Sequence, residues 1–537
     1  MGPLGALALC VAAICALPHA AVLVAAFSAG TDVLGHLAET VLPRFAGNTL
    51  ALVVLVCGMA FTIGVSTAWL VTMTEFPGRR WLEVLLVIPL AFPAYVLAYA
   101  YTHLLDHPGI VQSTLRDVTG WGPRDYWFPE VRSLGGAALM LALVLYPYVY
   151  LLARAAFLGQ SATTFHAARA LGRTPWQAFR AVSLPMARPA IAAGVLLVAM
   201  ETIADFGTVK YFAVQTFATG IYQSWLSFAD RTAAAQLALG LLAFALLLAM
   251  LERANRGGAR YHGGKRQEAM GRLPLTGARA TAATAICAVP VLLGAIIPTG
   301  ALAAMAIGSE QDLLSSRYLG FIQNSLILAS VASLVTVTAA LVVGTFHRTH
   351  PGRSAGAAFY LARIGYAVPG GVIAVGLMVP LAAFDNALDA FMEARFGIDT
   401  GLLLTGSIWV LVGAYMIRFL AAALGAYEGG IAAVSPNMDA AARVLGHSVL
   451  STTRRVHLPI LRPAMFTAAL IVFVDVMKEL PATLIMRPFN FDTLAVQAFR
   501  LASDERLEGA AVPSLVIAGI GLVPVILLCR QVARHER

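Results

Sequence analysis

Twelve runs of about 20 apolar residues take up most of this chain, and each is long enough for a helix to cross roughly 30 Å of hydrocarbon. They lie near residues 4–27, 48–73, 82–105, 136–158, 190–212, 233–251, 279–303, 323–346, 358–383, 401–425, 464–486 and 510–530. In lipid every backbone polar group must be satisfied internally, so runs of this length fold as helices. The class is therefore all-α and polytopic. A charged fraction of only 12% leaves little material for a soluble domain. Pro89, Pro93, Pro369 and Pro481 fall within these runs, which implies a bundle whose neighbouring helices cover the freed backbone groups.

The first run is expected to be a span in preference to a secretory leader, because no Lys or Arg precedes Arg44 and the apolar stretch exceeds an h-region. Cys10, Cys15, Cys57, Cys287 and Cys529 all lie in spans, form no C-x-x-C pair, and read as small packing residues. With the N-terminus cytoplasmic, most of the 37 Lys and Arg fall in cytoplasmic segments, Arg154 and Arg418 counted among them. That bias puts both termini inside. The net charge of +9 is spread over short loops beside spans, so it suits anionic lipid and a cytoplasmic partner, with no nucleic acid.

The chain repeats itself. "FAGNTL" from Phe45 returns as "FIQNSL" from Phe321, and "IPLAFPAYVLA" from Ile88 as "IGYAVPGGVIA" from Ile364, each 276 residues on. At a spacing of 274, Arg169, Leu171, Gly172, Leu184 and Pro185 match Arg443, Leu445, Gly446, Leu458 and Pro459. Each half holds six runs in the same order, which gives parallel halves related by a pseudo-two-fold axis along the membrane normal. The polar joint contains "GGARYHGGKR", which lacks the G-x-x-x-x-G-K-[ST] of a phosphate loop and reads as a linker.

The duplicated phrase, "ARALGRTPWQAFRAVSLPMARPA" and "ARVLGHSVLSTTRRVHLPILRPA", is too polar to cross a bilayer. Thr174, Pro175 and Gln177 form a capping box with proline at the first helical position, so a helix starts just after Gly172. Pro185 is expected to stop that helix before the next span. Two rigid elbows then project from the cytoplasmic face and present an interaction surface.

These phrases, "AARALG" to "SLP" and "AARVLG" to "HLP", resemble the cytoplasmic coupling motif of the permease subunits of type I ATP-binding-cassette importers. The resemblance covers nearly the whole chain. "ETIADFGTVKYF" from Glu201 and "DVMKELPATLIMRPFNFDTLAVQAF" from Asp475 are similar to the fused, twelve-span ferric-iron permeases. It implies a type I importer fold of two six-helix halves, whose elbows dock on two copies of a cytoplasmic ATPase through Ala168, Arg169, Leu171, Gly172, Leu184, Pro185, Ala442, Arg443, Leu445, Gly446, Leu458 and Pro459. ATP and Mg would sit on the ATPase, with no cofactor held covalently by this chain. A periplasmic or extracellular iron-binding protein would deliver the cargo to a multi-pass protein of the bacterial inner membrane. The motif's usual Glu is replaced by His166 in one copy and by Ala440 in the other, with Asp439 one residue early.

The implied organisation is a first helix and periplasmic loop (1–43), a transmembrane domain (44–251) with its coupling loop at about 164–188, and a linker (252–277). A seventh helix and loop (278–318), a second transmembrane domain (319–530) with its coupling loop at about 438–462, and a tail (531–537) follow.

Four carboxylates remain inside spans, where an ionised group costs several kcal/mol and so faces a cavity or a partner. Glu201 and Asp205 are four residues apart, on one helical face, and Asp475 and Glu479 occupy the equivalent positions. They are expected to line the translocation pathway and to meet a hard trivalent cation transiently. The alternatives for these groups are structural hydrogen bonding and a proton relay, and those for the chain are the same machinery carrying thiamine or another cationic solute and a proton-coupled secondary transporter. No H-E-x-x-H or G-x-S-x-G signature supports an enzyme.

Overall fold

The computed structural model describes residues 2–28, 35, 37, 39–160, 168, 170–256, 272–309, 311, 315–365 and 368–535. Among them, eleven helices are long and apolar enough to cross a membrane, or twelve if one bent pair is a single span. In the first half the main elements are α1 (Pro3–Ser28), α2 (Leu42–Met73), β1 (Thr74–Glu75), α3 (Arg79–Leu85), α4 (Ala94–Leu105), α5 (Ile110–Thr119), α6 (Leu134–Leu158), α7 (Pro175–Ala178), α8 (Leu184–Ala204), α9 (Gly207–Tyr211), α10 (Phe217–Tyr222) and α11 (Arg231–Arg256). The second half contains β2 (Leu273–Pro274), α12 (Ala278–Val291), α13 (Ile297–Ile307), α14 (Ser316–Thr349), α15 (Arg353–Ile364), α16 (Gly370–Phe396), α17 (Ile408–Ile431), α18 (Pro436–Val444), α19 (Val449–Thr452), α20 (Leu458–Met477), α21 (Pro481–Met486), α22 (Leu494–Ser503) and α23 (Leu507–His535).

Two spans are interrupted at prolines that the apolar runs pass through. The third becomes Arg79–Ala91 followed, after a 95° bend, by Ala94–Thr119, and the ninth becomes α16. The prolines cause this: Pro93 and Pro369 take extended ψ values of 141° and 144° and cap the helices that follow instead of lying inside them. A proline ring disfavours helical geometry in the residue before it, so each break falls at the X-Pro step.

The chain condenses into two compact units that do not follow the sequence halves. The first comprises Met1–Pro43, Phe217–Ala243 and Gln311–Gln497, and the second comprises Arg44–Thr216, Phe244–Glu310 and Ala498–Arg537. In the first unit, α1 packs on α14, α15 and α16. A stripe of small residues, Ala8, Ala12, Cys15, Val22 and Ala26, is almost wholly buried there. Small residues let helix backbones approach closely where no hydrophobic force acts between lipid-immersed helices. The approach is tight enough that a Cβ on Gly376 would lie 2.7 Å from Pro18 Cα. In the second unit, α13 packs on α23 and α4 in the same way.

Candidate functional site: the elbows and the broken spans

The first elbow is built by its own sequence. Gly172 closes the preceding turn at φ +84°, a left-handed conformation that costs other residues roughly 1–2 kcal/mol. Thr174 N–H donates to Gln177 Oε1 at 2.9 Å, and Gln177 N–H donates to Thr174 Oγ1 at 3.2 Å, which completes the capping box. The second elbow repeats the plan with Gly446 at φ +78° and Ser448 accepting from Ser451 N–H.

Pro185 does not stop the helix. A single π-helical turn, Phe179–Ser183, joins α7 to α8, and Thr453–His457 joins α19 to α20, so that Pro175–Ala204 and Val449–Met477 are continuous spans. Pro185 and Pro459 follow these wide turns at the start of α8 and α20, where a missing N–H is tolerated.

Leu171, Leu445 and Leu450 are 83%, 76% and 78% exposed, whereas Ala168 and Ala442 are buried beneath them. Arg443 donates to the Asp439 carbonyl within α18. Arg169 lies outside the described residues. Each elbow thus presents an apolar knob at the turn that precedes a helix whose start is fixed.

The shifted acid of the second copy has found partners. Asp439 Oδ2 accepts from Arg348 Nε at 2.9 Å, and its Oδ1 lies 2.6 Å from His457 Nε2. Arg348 also donates to the Val434 carbonyl at 2.8 Å. Burial raises the Asp439 pKa, but the hydrogen bonds from His457 and Arg348 outweigh it and hold the carboxyl below the usual aspartate value.

The membrane carboxylates divide into two kinds. α8 ends at Ala204, so Asp205 is not on the helical face of Glu201. Its carboxylate caps the next helix instead, accepting from Thr208 Oγ1 at 3.0 Å and from Val209 N–H at 3.1 Å. Glu479 does the same for α21 and is 5% exposed. It accepts from Ala482 N–H at 2.9 Å, Thr483 N–H at 3.2 Å, Tyr415 OH at 3.2 Å and Arg418 Nη1 at 3.1 Å. Glu201 and Asp475 remain half-buried, and Asp475 Oδ1 meets Lys478 Nζ at 2.9 Å. Both broken spans are thereby held open by a capping carboxylate, with a second carboxylate one turn earlier. Among the described residues no three His, Cys, Asp or Glu side chains gather to hold a metal ion.

Sequence reasoning missed Arg418, which it counted as a cytoplasmic charge. The residue lies inside α17 as the ionic partner of Glu479, and an arginine within "GAYMIRFL" was the signal. It also missed Arg154, which lies in α6 and pairs with Glu83, itself bonded to Arg79.

Residues 60–256 match the binding-protein-dependent transport system inner membrane component family. The probable molybdenum ABC transporter permease protein HVO_B0370 of Haloferax volcanii is 30% identical over 202 residues, covering 37% of this chain and 69% of that protein. The chain belongs to this family of importer permeases. It is a multi-pass membrane protein and carries two permease halves in one polypeptide. The Fe(3+)-transport system permease protein FbpB 2 of Haemophilus influenzae is 26% identical over 505 residues, 90% of each chain. The sulfate transport system permease protein CysW of Escherichia coli K12 is 31% identical over 199 residues, 36% of this chain and 64% of that protein. Permeases of such systems work with a substrate-binding protein and an ATPase.

Proposed function

We propose that this permease is the translocation subunit of an ATP-driven importer for ferric iron, delivered from outside by a binding protein, in a bacterial inner membrane with both termini cytoplasmic. The likeness to an iron permease along 90% of both chains carries the choice of cargo, since the molybdenum and sulfate relatives align with only about a third of this one. Electrostatics supports it. Partly exposed carboxylates at Glu201 and Asp475 attract a trivalent cation and repel a divalent oxyanion. Glu201 and Asp475 meet the cargo in transit, while Asp205 and Glu479 keep the span breaks in place.

Two copies of a cytoplasmic ATPase bind the exposed knobs of the elbows and hold ATP and Mg themselves. ATP-driven closure of the ATPases shifts the permease between outward-facing and inward-facing states, which requires that the closed pair bind one state more tightly. An ion-coupled carrier needs no such docking surface.

Uptake by vesicles containing permease, ATPase and loaded binding protein tests this reading. Radioactive iron should accumulate and stop when the ATPase is disabled. Accumulation of molybdate or sulfate in place of iron would refute the cargo, and uptake driven by a proton gradient alone would refute the mechanism.

A further inference from the structure

The two elbows are held by different means. In the second, the Asp439–Arg348–His457 cluster ties α18, the end of α14 and the π turn together. The first copy has Thr72 where the repeat places Arg348 and Ser183 where it places His457, so that lock is not encoded there. There α2 and the π turn meet through rings instead, Phe179 lying 5.0 Å from Trp69 and 6.0 Å from Phe157, while a separate buried cluster holds Ala168 and Ala178 with Val182 and Leu273 packed against them.

Leu273 comes from the segment that joins the halves. Leu273–Pro274 pairs in parallel with Thr74–Glu75, and Leu275 N–H donates to the Glu75 carbonyl at 2.9 Å. Thr74 is buried and donates to the Leu70 carbonyl at the end of α2. Glu75 in turn meets Arg79 Nε at 3.1 Å. The joint between the halves is therefore fastened to a transmembrane helix and pushes an apolar side chain under the coupling helix.

We propose that Leu273 is a positioning residue for the first elbow, and that the joining segment supplies, in this copy, part of the bracing that the ionic lock supplies in the second. The inference rests on the reading of the elbows as ATPase-docking levers. Ala168 and Ala178 offer little side chain of their own, so on that side the lever depends on what packs against them to pass on displacement. Leu273 and the two-residue ladder, with the Trp69–Phe179 contact, brace one copy, and Asp439 braces the other.

The experiment uses the whole permease with its ATPase in lipid nanodiscs. Leu171→Cys reports the first elbow and Leu445→Cys the second, each by disulfide formation with a cysteine in the ATPase groove. Leu273→Asp should cut cross-linking at Leu171→Cys several-fold and leave Leu445→Cys unchanged, with ATP-driven uptake falling in parallel. Leu273→Met should restore both. Leu275→Pro, which removes the ladder N–H, should act in the same direction, and Asp439→Asn should show the reverse selectivity. Equal loss at both elbows, or no loss at either in a permease that elutes as a single species, overturns the proposal. The elbow reading has its own test: if Gly172→Val and Gly446→Val leave ATPase association intact, that reading falls whatever Leu273 does.

Discussion

Arg418 Nη1 donates to Glu479 Oε1 at 3.1 Å, joining the middle of one span to the break in another within the same unit. Both side chains are nearly inaccessible, at 11% and 2% exposure. Such a pair contributes little over an apolar replacement, yet removing one member strands the other and costs about 3–5 kcal/mol. Arg418→Met should therefore lower the thermal stability of the purified permease sharply, while Arg418→Met with Glu479→Gln recovers part of the loss. Thermal unfolding in detergent measures both. If the double variant is as unstable as the sum of its parts, the two residues are not coupled.

Asp475 should behave in the opposite way. It is half-buried and pairs with Lys478, and a partly exposed pair of this kind is worth less than about 1 kcal/mol. Asp475→Asn should leave the unfolding temperature nearly unchanged and reduce iron uptake, alone or with Glu201→Gln. Normal uptake by the double variant would return both carboxylates to a structural role.

The elbows were legible in the sequence because their chemistry is local: Gly172, Thr174, Pro175 and Gln177 determine their own geometry within one turn of helix. The break after Ala204 was not, although Asp205 followed by Gly207 and Thr208 is a helix-start pattern and Pro481 after Glu479 is a stronger one. Apolar periodicity runs straight through both sites and conceals them. The packing of α1 was hidden for another reason. Its buried stripe from Ala8 to Ala26 can be read from small residues at helical spacing, but a stripe does not name the helix it packs on. That partner comes from the second repeat, through contacts that no local rule encodes.

Leu171 and Leu445 are so exposed that they contribute little to the fold. Replacing both with Asp should leave membrane insertion intact and the stability within about 0.5 kcal/mol of the parent, the usual range for surface substitutions. Co-purification with the ATPase should drop steeply, since a charge would then enter an apolar groove. Retained co-purification would move the docking surface elsewhere on the cytoplasmic face.

Asp439 gives the second elbow a pH dependence whose sign follows from its environment. Its carboxyl is held below the usual aspartate value by His457 and Arg348 in the folded protein, against an unfolded value of about 3.9. A carboxyl whose pKa falls on folding stabilises the native state fully above the unfolded value, and that stabilisation disappears as pH drops through the lowered folded value. At neutral pH the parent should therefore be more stable than Asp439→Asn. The gap should narrow on acidification below about pH 4 and close once the native carboxyl is protonated. Unfolding temperatures of the two proteins, measured side by side across that range, cancel the contributions of every other carboxylate. A constant gap down to the lowest pH would show that the side chain acts through packing and not through its charge.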